Sequence, residues 1–512
     1  MNMMINQLGY VPGMTKVAAI VNASAPEMQV INAQGETVLT LPVPQEHTEL
    51  WGDQVTHVDF TRLTAPGRYT LRCGEDESFP FEVAENPYAR CMTALVDMFY
   101  YQRCGGEVDQ RAGVHAHPAC HDTPARVYGT DTFLDVTGGW HDAGDYGRYI
   151  VPAAKAVADL MLAWQWNSQP FAQPGLSPLL DEIRWELEWM LKMQREDGGV
   201  YHKVSCARFC GMIMPHEERE ELIISPVSTT ATGDFAASMA MAARFFEKID
   251  PAFAARMKEA ALRAWDFLQA SGSVLFRNPE GVTTGWYSDR SDADERLWAH
   301  VEMALTFGDD KYYAAAAKAL AEADRSTAVL GWGDMTGYAA LEGMQLPGEL
   351  GDLCRQWVVD AAENLLAKIN AYGITLTDGL PWGSNMNISN DGMMLYQAWI
   401  ITGEKRFRLG AEKQLHYLLG VNPLAYCYVS CYGSRPMMHP HHRPSVAAGV
   451  CVPGMLSGGV CSGLADACAR EHLQGQPAGK CFIDRYESYS TNEICVYWNS
   501  PMVALLAGLM EE

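Results

Sequence analysis

The amino-acid sequence predicts a mainly α-helical protein: a small β-sandwich of immunoglobulin type followed by a large helical domain of α/α toroid type. Over the first 85 or so residues, short runs rich in Val, Ile, Tyr and Phe alternate with turn residues. After Asn86-Pro87 apolar residues instead recur at three- and four-residue spacing. The helical segments read this way approach about a dozen, which fits a toroid in which inner and outer helices alternate.

The strands are expected at 16–22, 28–31, 55–60, 67–72 and 79–83, separated by turns such as Ala33-Gln34-Gly35 and Ala65-Pro66-Gly67. This places one domain at 1–86 and a second at 87–512. In the second, helices are expected at 89–101, 154–164, 179–194, 234–246, 253–268, 294–306, 311–323, 354–370, 390–402, 405–419 and 496–510. Periodicity alone also fits an irregular helical domain. Three long segments, 200–226, 422–463 and 478–492, are rich in Gly, Pro, His and aromatics, and long loops on a rigid scaffold are where sites sit.

Composition narrows the function classes. Among 512 residues, 48% are hydrophobic and 20% charged, as in a soluble globular protein. The net charge of −24 opposes nucleic acid as a partner, because phosphate binding needs clustered Lys and Arg. No apolar stretch has the length to cross a bilayer, so no membrane partner is expected. The opening MNMMINQLGY has neither a basic nor a long apolar leader, which favours a cytoplasmic protein, or a secreted one whose leader has been removed. Several of the fourteen cysteines (Cys91, Cys354, Cys468, Cys495) lie in apolar or Ala/Gly-rich surroundings, which points to reduced thiols. No phosphate-cradling glycine loop or nucleophilic serine elbow is present, and no organic cofactor is expected. The oligomeric state is left open.

The most informative segment is Gly138-Gly139-Trp140-His141-Asp142-Ala143-Gly144-Asp145-Tyr146-Gly147-Arg148-Tyr149. Two acids three residues apart, among glycines and aromatics, suit joint work on one water molecule: one takes its proton while the other orients it. A lone Asp at this position would more simply cap the helix that follows. Two later segments belong with it: Ser430-x-x-Gly433-x-Arg435 followed by Pro440-His441-His442-Arg443, and Phe482-x-Asp484, Tyr489, Asn492-Glu493 and Asn499-Ser500. Together the three segments resemble the motifs of family 9 glycoside hydrolases, and Ile5-Asn6-Gln7-Leu8-Gly9-Tyr10 resembles the immunoglobulin-like domain that many members carry. Cys427 and Cys495 depart from the family pattern at non-catalytic positions.

The resemblance implies an (α/α)6 barrel and inverting hydrolysis of β-1,4-glucosidic bonds in β-glucan or cello-oligosaccharides. It makes Asp145 the general base, Asp142 the partner that holds the attacking water, and Glu493 the general acid. His441 and Arg443 are implied to bind the sugar next to the scissile bond, with Trp382 and Trp498 as stacking candidates. Cys104, Cys120, His121 and His141 resemble the two-Cys, two-His set of a structural zinc in some members, although their spacing alone reads as buried cysteines. Ser291, Asp294, Glu295 and Asp334 match in part a calcium site of the family; read alone, the acidic run before the helix complements its macrodipole. Two further readings stand beside the endo-acting glucanase. One is an exo-acting enzyme on short cello-oligosaccharides or amino-sugar relatives; the other is a non-catalytic carbohydrate-binding protein, against which the joint presence of Asp142, Asp145 and Glu493 speaks.

Overall fold

In the computed structural model, residues 2–172 and 179–510 are described. The N-terminal strands are β1 (Met3–Met4), β2 (Val17–Val21), β3 (Glu27–Asn32), β4 (Thr37–Pro42), β5 (Thr48–Leu50), β6 (Asp53–Asp59), β7 (Gly67–Cys73), β8 (Asp76–Glu77) and β9 (Phe81–Val83). They form two antiparallel sheets, one ordered β1-β2-β6-β5 and the other β4-β3-β7-β8 with β9 also on β7. Ile20, Val55 and Val58 of the first are buried, as are Met28 and Val30 of the second, whose Tyr69 and Leu71, and Phe81 and Val83, follow the period of two of half-buried strands. Strands β4 and β5 were not expected. Most of their residues are exposed, so little alternation marks them, and pairing to β3 and β6 makes them strands.

The helices of ten or more residues are α1 (Ala89–Tyr101), α2 (Ile150–Trp166), α3 (Leu179–Lys192), α4 (Thr229–Phe246), α5 (Pro251–Ala270), α6 (Ala293–Phe307), α7 (Asp310–Glu322), α9 (Glu349–Leu366), α10 (Ser384–Thr402), α11 (Lys405–Leu418) and α15 (Val496–Leu509). Each overlaps an expected segment. The shorter α8 (Thr336–Gly343), α12 (Arg443–Ala448), α13 (Ala467–Leu473) and α14 (Tyr489–Asn492) were not expected, having too few turns to show a period. Buried and half-exposed helices alternate along the chain. In α2 every residue from Ile150 to Ala163 is buried and in α15 every residue is, whereas α5 buries Phe253, Met257, Ala260, Ala264 and Leu268 on one face. A fully buried helix needs neighbours on all sides and an amphipathic one on a single side, the layering expected of a toroid. No helix among the described residues is long and apolar enough to cross a membrane.

A third sheet, within the region read as helices and loops, was also not expected. It is ordered β11 (Phe133–Leu134), β10 (Ala125–Val127), β14 (Ile223–Ile224), β13 (Lys203–Ser205), β12 (Arg148–Tyr149). Its strands are two or three residues long, too short to show alternation, and the paired strands β10 and β14 lie far apart in the chain.

The chain forms two compact units: Met1–Met98 with Asn364–His441 and Cys451–Glu512, and Phe99–Glu363 with His442–Val450. In the first, the N-terminal Asn6-Gln7 pair meets the loop after α11. Gln7 Nε2 donates to Ala425 O (2.8 Å), and its Oε1 accepts from Ser434 N and Arg435 N (both 2.9 Å). Gly433 needs its lack of a side chain here, since a Cβ would sit 2.9 Å from that same Oε1. Gln7→Ala leaves one carbonyl and two N–H groups of this loop unsatisfied, so urea denaturation should read a loss of about 2–4 kcal/mol.

Candidate active site

Residues 138–147 have no helix or strand of their own, and several of their peptide groups bond to surrounding residues of the same unit. Gly138 and Gly139 have φ of 118° and 76°, and a Cβ on Gly139 would lie 2.7 Å from the Trp189 ring. Trp140 N donates to Glu186 Oε2 (2.6 Å) and His141 N to Gln102 O (2.7 Å). The Gln102 side chain returns the contact, its Nε2 donating to His141 O (3.0 Å) and Ala143 O (2.8 Å). His442 Nε2 lies 3.0 Å from Gln102 Oε1, which can only accept, so that nitrogen carries the proton. Arg443 donates to Gly144 O from its backbone N (3.0 Å) and from Nη1 (2.9 Å).

This loop buries both acids: Asp142 is 3% and Asp145 7% exposed. Neither caps α2, whose N-cap is Tyr149 without a side-chain cap bond. Asp142 N donates to Gly147 O (2.9 Å), and the Tyr287 hydroxyl donates to the Asp142 carboxylate. Burial raises the pKa of Asp145 above the usual carboxylate range, and the charge of Arg443 pulls against that shift. Tyr287 and Gln102 were missed in the sequence, where nothing local distinguishes them from other polar aromatics and amides.

Arg443 is buried, and its guanidinium donates to two backbone carbonyls, Gly144 and Cys210 (3.3 and 3.2 Å to the latter). It thus fastens the carboxylate loop.

Glu493, His441, Trp382 and Trp498 lie in the first unit. Glu493 follows α14 directly, and its carbonyl accepts from Gly458 N (2.8 Å). His441 N donates to Asn492 O (2.8 Å), so His441 and Glu493 are bridged through their backbones. Asp484 anchors the same place, accepting from Met438 N (2.9 Å), His439 N (2.8 Å) and Asn492 Nδ2 (2.9 Å). Beside Glu493 lies an exposed aromatic ledge. Trp382, 46% exposed, has its ring 5.2 Å from that of Tyr489, which is 5.9 Å from His441. Trp498 departs from its expected role as an open platform: it is buried, and glycines at 383 and 458 make room for its ring.

Cys104, Cys120, His121 and His141 are all buried, with one ligand atom from each lying within 4.8 Å of the others. Cys104 Sγ is 3.6 Å from His121 Nδ1, Cys120 Sγ 3.8 Å from His141 Nε2, and the two nitrogens are 3.4 Å apart. The other nitrogen of His121 meets Glu218 Oε2 at 3.0 Å, the outer carboxylate that commonly orients a metal-binding imidazole. The four side chains form a site able to hold a metal ion. Among the described residues no other group of three or more His, Cys, Asp or Glu converges in this way. Ser291, Asp294 and Asp334 line one cavity with Asp289, while Glu295 is buried at the start of α6. Asp294 accepts from Met335 N (2.8 Å), joining two segments of that cavity, and Asp334 accepts from Thr336 N (3.0 Å) within its own turn.

The profile of Glycosyl hydrolase family 9 matches residues 88–506, and that of the Cellulase N-terminal ig-like domain matches residues 1–78. A cellodextrinase of Butyrivibrio fibrisolvens is 34% identical, the alignment covering 99% of each chain. The structure of a thermostable endoglucanase from Alicyclobacillus acidocaldarius superposes with a TM-score of 0.94 at 36% identity, covering all of both chains. That of AaCel9A in complex with cellobiose-like isofagomine does so with a TM-score of 0.95, also at 36% identity and full coverage. The fold is therefore the α/α-barrel type of these proteins behind an N-terminal β-sheet domain. The chain is a glycoside hydrolase and belongs to glycosyl hydrolase family 9.

Proposed function

We propose that this enzyme hydrolyses β-1,4-glucosidic bonds of cello-oligosaccharides and soluble β-glucan with inversion at the anomeric carbon. The observation that supports it most is the burial of Asp142 and Asp145 on a loop whose backbone is pinned by Gln102 and Arg443. In one displacement, Asp145 takes a proton from water as the water oxygen attacks the anomeric carbon. The glycosidic bond breaks, and the leaving oxygen takes its proton from Glu493. Asp142, oriented by the Tyr287 hydroxyl, holds the water. The Trp382–Tyr489 ledge offers flat apolar faces to sugar rings, with His441 beside it as a polar contact. An exo-acting preference for short chains is the second reading, favoured by full-length similarity to a protein named cellodextrinase.

For the metal site, zinc is the ion we assign to Cys104, Cys120, His121 and His141. Tetrahedral zinc with bonds of about 2.3 Å to sulfur and about 2.0–2.1 Å to nitrogen puts S and N about 3.6 Å apart and two nitrogens about 3.4 Å apart, close to the separations here. With four protein ligands the ion has no open position, and its part is to fix His141 and hence the backbone of Asp142. Calcium is the second proposal, at Ser291, Asp294, Glu295 and Asp334. The oxygen donors suit a hard cation, and the buried carboxylate oxygens of nearby Asp234 make no hydrogen bond.

The following outcomes are expected. Asp145→Asn and Glu493→Gln should each lower kcat on cellopentaose about 10²–10⁴-fold. Only Glu493→Gln should be relieved by a dinitrophenyl leaving group, which needs no acid; unchanged hydrolysis by either variant removes its assignment. Time-resolved NMR should show the α-anomer first, and net retention would contradict the mechanism; a single released unit from cellopentaose, rather than mixed products, would favour the exo reading. Because burial raises the Asp145 pKa, the acidic limb of kcat/KM should lie above the ordinary aspartate range, activity falling as the base gains its proton. Metal analysis should return one zinc per chain, lost with Cys104→Ser, and calcium should raise the melting temperature of chelator-treated protein; no zinc, or no response to calcium, removes the respective ion.

A further inference from the structure

Strand β13 and the residue before it reach across to one loop, 284–286. His202 Nε2 lies 2.8 Å from Trp286 O, Ser205 Oγ is 2.8 Å from Thr284 Oγ1, and between them Lys203 Nζ donates to Thr284 Oγ1 (2.9 Å) and Gly285 O (2.5 Å). The loop leads directly into Tyr287, a non-glycine residue held at φ 43°, whose hydroxyl donates to Asp142. The Tyr287 ring packs edge-on against Tyr149 with centroids 4.9 Å apart, and Tyr149 pairs with Lys203 in register between β12 and β13. A chain of direct contacts therefore runs from the Lys203 ammonium to the Asp142 carboxylate.

A fully buried lysine is an expensive way to tie down a loop. His202 and Ser205 already supply neutral ties to the same segment. What the ammonium adds is a charge-assisted bond to the peptide carbonyl two residues before Tyr287. Left-handed backbone costs an L-residue about 1–2 kcal/mol, so Tyr287 keeps that conformation only while its flanks are fixed. Burial pulls the Lys203 pKa down to about 7, with the charge of Asp145 working against that shift, so the ammonium and the proposed base share one electrostatic environment.

We propose that Lys203 is a positioning residue for the hydrolytic step: by clamping Thr284 and Gly285 it holds Tyr287 in its strained conformation, with the hydroxyl on Asp142. The proposal rests on the reading of Asp142 as the residue that orients the attacking water.

The test is a double-mutant cycle on cello-oligosaccharides with Lys203→Met and Tyr287→Phe. Methionine keeps the stem length and removes the charge. Lys203→Met should lower kcat about tenfold or more while KM stays within about twofold, the signature of a lost transition-state contact. In the Tyr287→Phe background the same substitution should cost less than about twofold, because the element it acts through is gone. Equal losses in both backgrounds, an effect confined to KM, or full kcat in folded Lys203→Met would overturn the proposal. If Lys203→Met shows no cooperative melting, Thr284→Val replaces it in the same cycle with the same required outcome, and full kcat there overturns the proposal equally. Asp142→Asn separates the two levels. Full activity of that variant removes the reading of Asp142 itself, whereas an inactive Asp142→Asn beside additive Lys203 and Tyr287 effects removes the Lys203 proposal alone.

Discussion

The hydrogen bonds of Gln102 are the contact on which the carboxylate loop depends. Ten residues without secondary structure bury two acids, and buried peptide groups are costly unless they are paired. One amide side chain pairs two of those carbonyls, His141 and Ala143, while the Gln102 carbonyl takes the His141 N–H. Because an amide has both donors and an acceptor, Gln102 also reaches His442, linking the first sequence motif to the second. Arg443 extends the link to Gly144. Two motifs some 300 residues apart in sequence thus meet through backbone groups rather than through the acids themselves.

The Cys/His cluster supports the same loop from behind. His141 is at once a member of the cluster and the neighbour of Asp142, so any ion held there limits the movement of the peptide that carries the carboxylate. Glu218 fixes His121 in turn. The arrangement is preorganisation in successive layers: the acids are held by backbone, the backbone by side chains, and those side chains by further buried polar groups.

The N-terminal domain plays a comparable part for the first unit. Gln7 satisfies the loop at 425–435, and Asn6 contacts His416 at the end of α11 (3.0 Å). Lys480 and Tyr372 both bond Asp53 of β6, and His57 Nε2 donates to Ala371 O (2.8 Å). Asn6 and Gln7 thus find buried polar partners, a side-chain nitrogen and backbone groups, which explains why a polar Asn-Gln pair is buried at the start of a β-domain.

By itself the sequence determined the order of strands and long helices, because hydrophobic period and turn residues are local properties. It also marked the acids of the three motifs, whose residue types and spacing are unusual enough to be read without neighbours. It did not reveal the short sheet of β10–β14, the helix α8, or the partners Gln102, Tyr287, Glu218 and Lys203, since each owes its place to contacts with residues distant in the chain. Tertiary structure alone decided that Asp142 and Asp145 are buried rather than capping α2. It likewise gave Arg443 to backbone carbonyls and Trp498 to the interior. The physical reason is the same in each case: burial and hydrogen-bond partners belong to the packed molecule, and an exposed platform and a core ring are the same residue until the fold encloses one of them.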